Sequence, residues 1–119
     1  MDFREATQLL TSTDDDEILQ FILQEVNTGI LTASDARHLP FHDLCQRFEL
    51  VLNRKDLNVI ELALHGINNL LEIGPDLGGF VYVTCINRLL PLLSHANLKI
   101  VSVTQCVRFF LITNSIISL

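Results

Sequence analysis

Positive charge is scarce in this chain. Eight Lys and Arg stand against fourteen Asp and Glu, a formal net charge of −6. Nothing therefore supplies the basic field that a phosphate backbone requires, and nucleic acid is not an expected partner. Long apolar runs are missing too. Stretches such as Phe109-Phe110-Leu111-Ile112 are interrupted by polar residues well before the ~20 positions that a membrane span needs. The opening Met-Asp-Phe-Arg-Glu lacks the basic start and apolar run of a secretory signal. The three cysteines, Cys45, Cys85 and Cys106, are odd in number with no close pair, which argues for free buried thiols in a reducing compartment and against a disulfide framework. Gly74, Gly78 and Gly79 follow a helical pattern and no Lys-Ser pair comes after them, so they read as a linker and not as a phosphate cradle. These absences together predict an intracellular protein, cytoplasmic or nuclear, with no membrane association and no cofactor.

What remains is enough apolar material for one folded domain: 119 residues, 49% hydrophobic and 18% charged. Its organisation shows as an internal repeat. Asp56-Leu57-Asn58-Val59-Ile60-Glu61-Leu62 aligns with Asn97-Leu98-Lys99-Ile100-Val101-Ser102-Val103, 41 residues later. The same offset pairs Cys45 with Ile86, Phe48 with Leu89, Val51 with Leu92 and Leu52 with Leu93, so two helices recur together. One step back from Asp56 lies Asp15, followed by Ile18, Leu19, Phe21 and Ile22 as a degenerate first copy. Asp15, Asp56 and Asn97 share one position, and each can accept hydrogen bonds from the free N–H groups that open a helix. Asp14 with Glu17 offers a second capping pattern, and the Asp14-Asp15-Asp16 run reads as a solvated helix start.

Within the copies, Val59, Leu62, Ala63, Gly66, Ile67 and Leu70 recur at three- and four-residue steps, as do Ile100, Val103, Val107, Phe110 and Leu111. The pattern predicts helices near 4–11, 15–27, 41–53, 57–73, 82–94 and 98–113, with a loop or short helix near 33–39. Gly74-Pro75 is expected to end the fourth of these through a left-handed cap. Pro91 is expected to kink the helix around it. Repeats are placed at about 1–31, 32–75 and 76–113, with a tail at 114–119. No strand is expected.

The runs Leu44 to Leu52 and Asp56 to Leu71, with Ala63-Leu64-His65-Gly66-Ile67-Asn68-Asn69-Leu70-Leu71, resemble the armadillo repeat family, and within it the C-terminal repeats of the importin-α type. The resemblance is best over about one repeat and fades toward both ends. It implies an all-α, short right-handed armadillo-type superhelix of about three repeats. It further implies that the third helix of each repeat lines a concave groove, where a Trp and an Asn one turn later grip an extended basic peptide, as in nuclear transport. The matching positions are His65 and Asn69, with Gln24 and Thr28 in the first copy and Cys106 and Phe110 in the third. His65 stands where the family has Trp, and the chain has no Trp at all. The family's basic N-terminal segment is also missing, so a fragment or offshoot of such a protein is expected.

The sequence therefore points to a non-enzymatic scaffold whose peptide-binding groove carries Gln20, Gln24, Glu61, His65, Asn68, Asn69, Glu72 and Ser102. Asparagine is a mediocre helix former whose amide both donates to and accepts from an extended backbone, and the acidic balance favours a basic partner. A solvated helix face is the plainer account of Asn68-Asn69, and packing between repeats the plainer account of His65. A structural assembly module is the alternative function. It would self-associate through Ile112, Ile116 and Ile117, as a homodimer through the C-terminal repeat, or dock onto a larger array through its apolar repeat ends. His38, His42 and Cys45 have a spacing that suggests zinc, but Pro40 breaks the helical register between them, and ordinary helix-entry residues with Cys45 in the core are expected. No nucleophile with a paired base is legible, and no enzymatic activity is expected.

Overall fold

The computed structural model describes residues 2–33 and 38–118, and in the last helix the side chains as far as residue 112. Six α-helices account for most of these residues: α1 (Phe3–Leu9), α2 (Asp16–Leu31), α3 (Phe41–Val51), α4 (Leu57–Ile73), α5 (Gly78–Leu92) and α6 (Leu98–Ser118). Among the described residues there is no strand, and no helix is long and apolar enough to cross a membrane.

The three repeat markers open three helices in the same way. Asp15 Oδ1 accepts from the backbone N–H of Glu17 at 2.9 Å and Ile18 at 3.1 Å. Asp56 Oδ1 accepts from Asn58 at 2.9 Å and Val59 at 3.1 Å. Asn97 Oδ1 accepts from Lys99 at 2.9 Å and Ile100 at 3.3 Å. Each side chain thus satisfies two of the N–H groups a helix leaves without an internal partner. Asp14 does not cap α2; its backbone carbonyl instead accepts from Arg54 at 2.7 Å.

Packing follows the offset. α4 lies between α2 and α6, while α1, α3 and α5 pack respectively on α2, α4 and α6, and α3 also packs on α5. The molecule is 19 Å through its thinnest dimension, the depth of two helix layers. Its radius of gyration, 13.4 Å, is that of a close-packed domain of this length. The core runs continuously through the layers, with Leu19, Ile22, Leu23, Phe48, Leu64, Ile67 and Leu71 among the residues removed from solvent.

Several boundaries differ from the sequence expectations. α2 continues to Leu31, through Thr28 and Gly29, because each threonine hydroxyl near its end turns back onto the helix, Thr28 to Gln24 O and Thr32 to Thr28 O, both at 2.9 Å. The expected linker at Gly78-Gly79 is the first turn of α5. Gly74 has φ −135°, so α4 does not end in a left-handed cap. A 3-10 turn at Pro75–Leu77, closed by Leu77 N–H to Gly74 O at 3.0 Å, redirects the chain in its place. Pro91 falls one residue before the end of α5, where little helix remains to kink. The expected tail at 114–119 is helical as far as Ser118, and most of the segment expected at 33–39 lies outside the described residues.

Candidate functional site

The residues singled out for a groove come from α2, α4 and α6, the three helices of one layer. The offset sets them side by side as Gln20, Glu61 and Ser102, then Gln24, His65 and Cys106, then Thr28, Asn69 and Phe110. The middle set is exposed on all three helices, while the outer sets are half-buried or exposed. Glu72 is exposed one turn beyond Asn69.

Glu61 is the electrostatic centre of this face. Its carboxylate is 3.2 Å from Lys99 Nζ on α6 and 3.5 Å from His65 Nε2 on its own helix. The Glu61 side chain is 17% exposed, whereas Lys99 is 72% exposed and held at one end only. His65 is therefore a surface residue, not one packed between repeats. Gln20 Nε2 donates to Asp56 Oδ1 at 3.4 Å, linking α2 to the cap of α4.

Asn68 differs from its neighbour. Its amide oxygen is buried and makes no hydrogen bond, and the same is true of the oxygen of Asn27, its equivalent one offset earlier. Asn27 Nδ2 donates across the helix–helix contact to Leu62 O at 3.1 Å. The two asparagines share a register position, and from it Asn27 reaches the next helix of the layer. Ile112 is 43% exposed; Ile116 and Ile117 belong to α6, with side chains outside those described.

Contacts between the copies carry signals that periodicity does not show. Arg47 and Arg88 are one offset apart, and each reaches back to the preceding odd-numbered helix. Arg47 donates to Gln8 O at 3.2 Å, and Arg88 donates to Glu49 at 2.8 Å; Gln8 and Glu49 are also one offset apart. Arg54 ties the turn before α4 to the turn before α2, through Asp16 Oδ1 at 2.6 Å and the carbonyls of Thr13 and Asp14. The matched arginines were visible in the repeat alignment, but their partners become legible only when odd helices are known to neighbour one another.

Cys45 and Cys85, 40 positions apart in sequence, come to 3.7 Å between sulfurs in the core, joining α3 to α5, and Cys106 is exposed. The contact with Cys45, with burial second, pushes the Cys85 thiol well above its ordinary value. A thiol so placed stays protonated and unreactive. The His42 ring packs edge-on to Phe80 at 4.2 Å between centroids; His42 is exposed whereas Cys45 is buried. Among the described residues no group of three or more His, Cys, Asp or Glu could hold a metal ion.

The fold and its faces thus define an all-helical protein in two packed layers. Comparison with known proteins finds no family model, no curated protein and no solved structure that matches the chain.

Proposed function

We propose that this chain is a protein-binding scaffold of the armadillo type, without catalytic activity, that takes an extended basic peptide across the exposed face of α2, α4 and α6. The observation that carries this reading is the shared register of α2, α4 and α6, each opened by the same cap, which lines up polar side chains on α2 and α4, with Ser102 on α6. An extended peptide advances ~3.3 Å per residue and neighbouring helices lie ~10 Å apart, so about every third residue meets a new helix at an equivalent point. Asn69 offers an amide suited to an extended backbone. Glu61 and Glu72 supply negative charge, and the solvent-exposed Lys99 is a placeholder that a peptide lysine or arginine could displace from Glu61. An importin-α-like role in nuclear transport is the particular form of this proposal suggested by the run Ala63 to Leu71.

Fluorescence polarisation with a panel of labelled Lys- and Arg-rich peptides tests it. Binding should weaken as salt rises, and Asn69→Ala combined with Glu61→Ala should weaken it at least about tenfold, the loss of roughly one charge-assisted hydrogen bond. Unchanged affinity in the double variant, or no binding across the panel, would overturn the groove assignment.

A further inference from the structure

Each internal junction between copies has a leading face and a trailing face, and the molecule exposes one of each at its two ends. On the leading face α4, which packs on α2, carries Val59 and Leu62, and one offset later α6, which packs on α4, carries Ile100 and Val103. Val59 and Ile100 are buried, and Leu62 and Val103 are packed against the core. The same two positions in α2 are Ile18 and Phe21, both 55% exposed. On the trailing face, Phe41, Cys45, Ile67 and Leu71 are buried, with Cys45 touching Cys85 and Glu49 holding Arg88 of the following copy. One offset later these positions become Tyr82, Ile86, Arg108, Ile112 and Leu90. They line an open groove of about 210 Å³ between α5 and α6, with Tyr82 45%, Leu90 51% and Ile112 43% exposed.

We propose that this groove is a docking site for the leading face of a second copy of the chain, so that molecules stack head to tail through a junction equivalent to the two inside each molecule. The occupant follows from continuity. Within the chain this register holds Val59 with Leu62 in α4 and Ile100 with Val103 in α6, the latter joined at its junction by Cys85 and Arg88 of α5, and α2 presents Ile18 and Phe21 at it. The charges agree as well: Arg108 lines the socket, and Glu25 lies one turn beyond Phe21 on the exposed side of α2. The two faces differ from one another, so the contact is heterologous and leaves a free head and a free tail at every stage of growth. The inference rests on the repeat register and is independent of the peptide-binding reading, since it uses the ends of the layers and not the exposed face of α2, α4 and α6.

Light scattering coupled to size exclusion tests it on the whole chain. Wild-type protein should rise from its monomer mass of 13.4 kDa toward dimer and higher species between about 10 µM and 1 mM. Phe21→Lys should remove the head and Leu90→Lys the tail, leaving each variant monomeric with an unchanged helical circular dichroism spectrum, because both side chains are about half exposed in the monomer. An equimolar mixture of the two variants retains one intact head and one intact tail, and should give a species of twice the monomer mass that grows no further. Should either lysine variant lose its helical spectrum, Phe21→Ala and Leu90→Ala replace the pair in the same mixing experiment. A wild type that stays monomeric at 1 mM overturns the proposal. So does a mixture that fails to pair, or association that Leu90→Lys abolishes while Phe21→Lys leaves it unchanged, which would mark a tail-to-tail dimer.

Discussion

Gly66 is tightly constrained. A Cβ built there would lie 2.5 Å from the Phe48 ring and 2.9 Å from Asn27 Oδ1, and Phe48 is fully buried with nowhere to move. Gly66→Ala gains about 1 kcal/mol of helix propensity but forces overpacking that costs typically 1–3 kcal/mol, so urea unfolding should show a net loss of stability. Gly29→Ala is the contrasting case. Its Cβ would meet the ring of Phe3, which is only half-buried near the start of α1 and can swing aside, so the same assay should give a change near zero. The cysteines separate equally sharply. A thiol reagent at neutral pH should label Cys106 quickly and leave Cys45 and Cys85 unmodified until the protein unfolds. At this scale the sequence was partly legible: Cys45 as a core residue follows from its register position, but its meeting with Cys85 does not, because the two differ by 40 positions, one short of the repeat, and only the three-dimensional junction places them together.

The helices owe their limits to single side chains, and this is where the sequence spoke most clearly. Asp15, Asp56 and Asn97 share a position, and a short acceptor at that spacing has one obvious use. Replacing Asp56 with Ala should cost about 1 kcal/mol in a denaturant titration, the ordinary value of a helix cap. Gln20 also donates to Asp56, so the loss should be at least as large as for Asp15→Ala. Arg54→Ala should cost about 1–2 kcal/mol, since hydrogen bonds to Asp16 and to two carbonyls join the turns before α2 and α4, and part of that loss should vanish in high salt. The glycines around residue 74 misled for a physical reason. Gly next to Pro has several uses, and local sequence cannot distinguish a left-handed cap from a 3-10 turn that feeds straight into the next helix. Gly79 has open space around its Cβ position and sits in the first turn of α5, so Gly79→Ala should stabilise the protein by about 0.4–1 kcal/mol.

At the scale of the whole molecule, two layers of helices follow from one apolar face per helix and one unit that cannot bury its face alone. The all-helical class was legible because a three- and four-residue period persisted over long segments, and the pairing of copies because the same offset aligned both helices of the unit. The candidate face was legible only as positions: the register brought Gln24, His65 and Cys106 into one row, but the Lys99–Glu61 pair crosses between copies and could not be read from either alone. The claim on which the rest depends is that α2, α4 and α6 form a row, with α4 in the middle. Spin labels at positions 24, 65 and 106, with Cys45 and Cys85 replaced by Ser, measure it through electron–electron distances. The 24–65 and 65–106 separations should agree with each other at about 10 Å, and 24–106 should be about twice as long. A 24–106 separation no longer than either single step would place α6 against α2 in a closed bundle and contradict the row.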